Sequence, residues 1–412
     1  MGEKRSDAAA ADRGQPGWRS LPAGIWALGL VSMLMDVSSE MIHALLPVYL
    51  TVGLGATALT VGMIEGIAEA TAAITKVFSG ALSDRIGRRK ELAAIGYGLA
   101  AITKPIFPLA PSIGWLVAAR FVDRVGKGIR GAPRDALVAD LAPEGQRGAA
   151  FGLRQSLDTF GAFLGPLAAI GLMWLFSDDF RSVFWVAVAP AFVAVALILL
   201  AVKEPKRPEG LRRVRLPLSR AELGRLGSTY WWVVAVATLF TLARFSEAFL
   251  ILRADTAGVP LMLVPLVFVG MNAVYAVSAW PVGALSDKTG RIGLLSVGLC
   301  LLIVADLVLA LAPGLSGFAL GVLIWGLHMG FTQGLLGTLV AEAVPAELRG
   351  TAFGMFNLVT GLALLLASVI AGALWEEFGA QWTFLAGAAF AAVAVAGLPP
   401  LARRLAGAVR PG

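Results

Sequence analysis

Apolar stretches of helix length recur along the chain, near residues 22–50, 59–82, 92–111, 114–140, 149–175 and 182–202, and again near 230–252, 261–285, 292–312, 317–341, 351–374 and 382–402. Each is long enough for an α-helix to cross a hydrocarbon core, which takes about 20 residues. The runs are continuous, without the apolar–polar alternation over about 10 positions of a barrel strand, so a barrel is excluded. Backbone satisfaction in lipid then leaves a helical bundle. Between the sixth and seventh stretches, Lys203, Lys206, Arg207, Arg212, Arg213, Arg215, Arg220 and Arg225 lie among three prolines, the composition of a solvated connector. The pattern predicts an all-α membrane protein with twelve transmembrane helices in two pseudo-symmetric six-helix bundles. Its parts are a tail (1–21), a first bundle (22–202), a basic linker (203–229), a second bundle (230–402) and a tail (403–412).

Composition removes the soluble classes. Of 412 residues, 58% are hydrophobic and 15% charged, with a mean hydropathy of +0.78; an ordinary soluble domain carries about 25% charged residues. The formal net charge of +7 follows from membrane topology, so nucleic acid is not expected as a partner. The tails, the linker and the loops after helices 2, 4, 8 and 10 hold 23 of the 34 Lys and Arg, whereas the opposite loops hold only Arg181 and Arg253. Positive charge stays inside, so both termini are expected to be cytoplasmic in a multi-pass plasma (inner) membrane protein, which requires an even number of spans. Met1 to Ser20 does not read as a signal peptide, because the apolar segment after it contains Asp36 and Glu40. The Met1-Gly2 to Ser6 match to a myristoylation pattern is read as chance, and the lone Cys300 as a packing residue.

The halves repeat. Gly80-Ala81-Leu82-Ser83-Asp84 recurs as Gly283-Ala284-Leu285-Ser286-Asp287, 203 residues on, and Asp140, Pro143, Arg147-Gly148 and Phe151-Gly152 recur 202 residues on as Glu342, Pro345, Arg349-Gly350 and Phe353-Gly354. Related bundles that rock about a midplane site are a common transporter plan. The stretch from Gly80 through Asp84, Gly87 and Arg88 to Lys90, between helices 2 and 3, resembles the signature loop of the major facilitator superfamily. A weaker copy with Gly283, Asp287, Gly290 and Arg291 lies between helices 8 and 9, where that family carries its second one. The resemblance implies a cytoplasmic gate in which Asp84 meets the N-terminus of helix 11, a contact worth about 0.3–2 kcal/mol and so able to break in each cycle. Gly161, Gly165 and Pro166 in helix 5 resemble part of that superfamily's antiporter motif, although close packing alone could select small residues there.

Helix 4 carries an arginine, Arg120, that resembles the family's fourth-helix motif, but Asp123 and Arg124 stand where that motif has glutamine and glycine. Independently of any family, Arg120, Asp123, Lys127, Arg130 and Arg134 are spaced 3, 4, 3 and 4, along one helical face. Intramembrane charges are expensive unless they face water or a partner, so this stripe is expected to meet a cavity, a solute or opposing acids. Glu247 pairs naturally with Arg244 in helix 7, and both join Arg120, Lys127, Arg130 and Arg134 as candidate solute contacts. Opposing acids are available: Asp36 and Glu40 with His43 on helix 1, and Glu65 and Glu69 with Lys76 on helix 2. Together with Asp123 they are the candidate proton carriers, since carboxyls buried near cations can titrate around neutral pH. Arg154 and Asp158 form a further i,i+4 pair, and the second half offers chiefly Asp306 and His328.

These features predict a secondary transporter working by alternating access on a small amphipathic or anionic organic solute or drug. Efflux driven by protons is the expected mode, with no cofactor, the lipid bilayer as surroundings and a monomer as the working unit. No GxxxxGK[ST] sequence is present for ATP hydrolysis, and Gly126 to Gly131 matches GxGxxG only inside an apolar span. With neither HExxH nor a Ser/His arrangement, no enzyme is expected. Two alternatives remain. A divalent metal or metal-chelate transporter would use His43 and His328, and a sensor would bind solute without moving it.

Overall fold

A computed structural model describes residues 21–86, 88–143, 146–204, 223–289, 291–332, 335–345 and 348–408, which are helical with no strand. Six helices form the first half: α1 (Ala23–His43), α2 (Ala58–Ile86), α3 (Arg89–Thr103), α4 (Ile113–Leu141), α5 (Arg147–Leu175) and α6 (Phe180–Ala201). The second half contains α7 (Ser228–Ala243), α8 (Ala248–Thr256), α9 (Leu266–Thr289), α10 (Arg291–Leu311), α11 (Gly314–Thr332), α12 (Leu335–Glu342), α13 (Arg349–Phe378) and α14 (Ala380–Ala408). Eleven stretches of the described residues are long and apolar enough to cross a membrane. The twelfth crossing is α4, whose 29 residues match α2 and α5 in length but carry the charge stripe that keeps it below an apolar threshold.

The helices have visible local causes. α6 starts where Asp179 accepts from the backbone N–H of Arg181 at 3.1 Å and of Ser182 at 3.2 Å, satisfying two orphan donors. The Ser182 hydroxyl donates to the same carboxylate at 2.5 Å and holds its pKa below the usual carboxylate range. The expectation of one unbroken helix over 230–252 needs correction, because α7 stops at Ala243 and α8 begins at Ala248. The break survives in an apolar setting because its backbone is satisfied: the Ser246 amide donates to the Ser368 hydroxyl at 3.3 Å, and the Ser246 hydroxyl accepts from the Ala248 amide at 3.2 Å.

Within the first half, α1 packs on α5 and α6, and α4 on α2 and α3; within the second, α10 packs on α11 and α14, α9 on α11, and α7 on α13 and α14. Among the described residues the halves meet at several places, α2 against α8 being one. α2 runs along α13, the short turn Leu46–Val48 after α1 meets α8, and α5 meets α9 and the turn Leu261–Leu263. The last two lie at the end of the molecule away from the termini. Glycines let α2 and α13 approach: a Cβ on Gly372 would sit 2.7 Å from Leu59 Cα, and one on Gly361 2.7 Å from Ala73 Cβ. The space left between the halves is therefore walled off at the end remote from the termini.

Candidate functional site: a charged cavity between the halves

That space has two lobes, of about 480 and 390 Å3, which share Glu40 of α1, Glu69 of α2 and Lys127 of α4. The larger lobe is closed on the second-half side by Phe240, Thr241, the Arg244–Glu247 break, Asn272 and Leu364. The smaller lies nearer the termini, among Asp36, Lys76, Arg130, Arg134, Asp158 and Asn357. Acids and bases alternate around both lobes, so the walls carry charge of both signs without a large excess of either.

The charge stripe of α4 is shared among three neighbouring helices. Arg120 Nη2 donates to both oxygens of Glu65, at 3.0 and 2.8 Å, and the two side chains are 3% and 1% exposed. Asp123 turns to α3, where Lys104 Nζ donates to it at 3.0 Å and to the Ser39 hydroxyl at 3.0 Å. Neither Arg120 nor Asp123 lines the cavity; both are buried between helices as structural ion pairs. Arg124 pairs with Glu69 at 3.2 Å and does line the larger lobe. Arg130 stacks on the Tyr97 ring at 4.8 Å, and Arg134 reaches Asp135, Ser32 and Asp158 at 3.1, 3.0 and 3.6 Å. Asp36 and Asp158 both line the smaller lobe, and Arg154 holds Asp158 at 3.1 Å. On the second-half wall Arg244 pairs with Glu247 at 2.8 Å, across the break in span 7.

Lys127 is different. It lines both lobes and is exposed to them, yet no carboxylate among the described residues lies within ion-pair distance of its amino group. Lys76, exposed on the smaller lobe, is likewise without an ion pair among the described residues. Position 104 carried no signal in the sequence beyond a lysine at the end of an apolar run; only the facing Asp123 on another helix gives it meaning. Arg124 and Asp158 were visible as charges but not as cavity walls.

His43 and His328 are not brought together. His43 lies between Glu40 at 3.4 Å and Glu65 at 3.5 Å, and its ring packs on Phe268 of the second half, with centroids 5.2 Å apart. His328 is fully buried beside Phe240 and Trp325. Among the described residues no group of three or more His, Cys, Asp or Glu side chains could hold a metal ion. Gly161 and Gly165 seat α5 on α1: a Cβ on Gly161 would lie 2.5 Å from the Met33 carbonyl oxygen, and one on Gly165 2.7 Å from Glu40 Cβ. Pro166 lies within α5.

At the end bearing the termini, the loop motifs form ion pairs within each half. Arg88 meets Glu91 at 2.5 Å, Arg89 meets Asp140 at 2.6 Å, and the Arg89 amide donates to Glu204 at 2.5 Å. In the second half Arg291, the repeat-related counterpart of Arg88, pairs with Glu342, the counterpart of Asp140. Gly80 faces Ala132 of α4. Gly87 and Gly290, the side chains of Asp84 and Asp287, the stretch around Gly283 and most of the basic linker lie outside the described residues.

Residues 28–368 match the family model of the Major Facilitator Superfamily. The chain is 31% identical over 383 residues to an uncharacterized MFS-type transporter of Methanocaldococcus jannaschii, covering 91% of this chain and 94% of that one. It is 30% identical over 400 residues to a probable 4-methylmuconolactone transporter of Cupriavidus pinatubonensis, covering 91% and 88%. Among solved structures, the nucleoside transporter NupG superposes with a TM-score of 0.76 at 14% identity, over 92% of this chain and 99% of that one.

Proposed function

The chain belongs to the major facilitator superfamily of secondary transporters, and from that premise we propose that it exports a small organic anion in exchange for protons. The observation that carries this reading is Lys127, a cation exposed in both lobes of the cavity and unpaired among the described residues, where Arg120, Arg124, Arg134 and Arg244 are each answered by an acid. A solute anion entering the cavity meets Lys127 in either lobe, and Arg130 and Lys76 lie along the same wall of the smaller one. The relative named for a lactone transports, by that name, a small organic solute, which is in keeping with this size of cavity.

The coupling follows from the acids around the site. Asp36 and Asp158 both line the smaller lobe, where Arg134 meets Asp158, and Glu40 and Glu69 share both lobes with Lys127. Four carboxyls lining one lobe repel one another when all are ionised, which favours a proton on one of them. An anion arriving beside Lys127 and a proton on the neighbouring acids compete for the same local field, which links release of one to uptake of the other. With both termini in the cytoplasm, the wall at the remote end makes this conformation the one that faces inward. Rocking of the halves about α2 and α13 would close the terminal end and open the other. Asp84 and its repeat Asp287, with Arg88 and Arg291, are assigned to the gate at that end.

Proteoliposomes carrying a pH-sensitive dye and an imposed proton gradient test the reading, with organic anions, cationic drugs and divalent metals added one at a time. Proton movement triggered by organic anions, and weakened by Lys127→Gln, is the expected result. Proton movement triggered by cationic drugs or divalent metals alone would overturn the substrate class. Solute flux without proton movement would overturn the coupling.

A further inference from the structure

The cavity accounts for the ions of the first half but leaves one acid of the second unexplained. Asp306, in the middle of α10, is fully buried, and neither carboxyl oxygen has a hydrogen-bond or ion-pair partner. It lines neither lobe. Two other orphaned donors or acceptors lie on α11, which packs on α10. α10 and α11 run antiparallel, with Gly298 against Thr332 and Leu309 against Gly321, which sets Asp306 level with Trp325. Trp325 Nε1 and His328 Nε2 are both buried without a partner, and their rings meet edge to face at 5.9 Å. Phe245, in the break between α7 and α8, touches both sides of the group: its ring lies 5.7 Å from Trp325, and its edge shares with Asp306 the surface of Gly387.

We propose that Asp306, with the Ala243 carbonyl that faces the same glycine, forms a second proton-binding site, held wholly by the second half and separate from the acids of the cavity. Everywhere else in the described core a buried acid faces a cation: Glu65 has Arg120, and Asp123 has Lys104. The groups facing Asp306 offer none. α14 presents Gly387, and the break in span 7 presents the Ala243 carbonyl and the Phe245 ring; Arg244 beside them is engaged with Glu247, and His328 of α11 lies against Phe240 and Trp325. An unpaired carboxylate in apolar surroundings is prohibitively costly, whereas the neutral acid needs only one acceptor for its O–H. The acceptor is at hand. The Ala243 carbonyl, at the C-terminal end of α7, is one of the four that a helix end leaves unpaired, and the same glycine faces both groups. A Cβ on Gly387 would lie 2.5 Å from Asp306 Oδ2 and 3.1 Å from the Ala243 oxygen, so only glycine leaves the carboxyl where it is.

The proton therefore does mechanical work. Present, it lets Asp306 donate to the end of α7 and ties α10 to the break; absent, the carboxylate must draw water or a cation toward itself. Arg244, next in sequence to Ala243, is the cation on a segment able to reorient, because the backbone there is not held in a helix. A purely structural polar residue at this position would be satisfied by an amide and would need no exchangeable proton.

Labelling with dicyclohexylcarbodiimide tests the site without any solute, so its failure and that of the transport reading are distinguishable. This apolar reagent attacks carboxyl groups that carry a proton in apolar surroundings, and peptide mass spectrometry of the purified full chain in nanodiscs locates the adduct. The expected result is an adduct on Asp306 at mildly acid pH that falls about tenfold per pH unit beyond its midpoint. Gly387→Ala, which keeps the acid but crowds it, should move that midpoint. An Asp306 adduct that forms equally across the pH range would show a locked structural proton and overturn the proposal. So would labelling of the cavity acids without any of Asp306, or a midpoint that Gly387→Ala leaves in place. Asp306→Asn fixes the background.

Discussion

Removing Arg120 by Arg120→Leu would leave Glu65 as a carboxylate 1% exposed, with only the His43 ring nitrogen at 3.5 Å beside it. Breaking a buried ion pair from one side costs about 3–5 kcal/mol, because the surviving charge keeps its desolvation penalty and loses its partner. Removing both charges is different: a pair replaced by apolar side chains of similar volume is often neutral or stabilising. Arg120→Leu with Glu65→Leu should therefore recover most of the loss, leaving a coupling energy of about 2 kcal/mol or more in a double-mutant cycle. The assay is unfolding of the purified protein in detergent micelles, followed by tryptophan fluorescence, for the wild type, both single variants and the double one. The argument fails if Arg120→Leu costs under about 1 kcal/mol, the range of an exposed pair, or if the two substitutions simply add. A cavity-lining Arg120 would behave in the first way, so the cycle also tests whether this arginine is scaffold or solute contact.

Lys127→Gln is expected to leave unfolding unchanged, since no carboxylate is orphaned by it, while raising the apparent KM for an organic anion by about 10- to 100-fold, the equivalent of a lost charged hydrogen bond of about 1.5–3 kcal/mol; radiolabelled uptake into inverted vesicles measures it. Gly372→Val should disfavour the conformation seen here, because its Cβ would meet Leu59 Cα at 2.7 Å; slower transport with a shifted pattern of cysteine labelling at the remote end is the expected outcome. Asp179→Ala should cost about 1 kcal/mol through loss of the α6 cap. Because hydrogen bonding holds the Asp179 carboxyl below its ordinary range, the cap contributes fully above the unfolded carboxylate's range and is lost as pH falls through the lowered folded value. The gap in stability between wild type and Asp179→Ala, measured by unfolding at neutral and strongly acid pH, should therefore close on acidification.

Much of this molecule was legible from spacing alone. Apolar runs set the crossings, and the i,i+4 pair Arg154–Asp158 and the i,i+3 pair Arg244–Glu247 form as their spacing implies, at 3.1 and 2.8 Å, because neighbours on one helical surface need no tertiary contact to meet. The α4 stripe was legible as a stripe but not by destination. Its members sit within one arc of the helix, yet α2 takes Arg120, α3 takes Asp123, and only Lys127, Arg130 and Arg134 reach the cavity. A difference of one residue turns a side chain by about 100°, and which neighbour stands at each angle is decided by packing.

By itself, then, the sequence determined an all-helical membrane protein, its repeat and the helices that carry charge, since these follow from hydropathy, period and recurrence along one chain. The tertiary structure decided which charges cancel and which remain: Lys104 against Asp123, the break at Ala243–Ala248 held by Ser368, and Asp306 left among apolar rings. Each of those depends on a partner far away in the chain, and a charge buried in lipid-embedded protein acquires its meaning from the group opposite it, which no local pattern encodes.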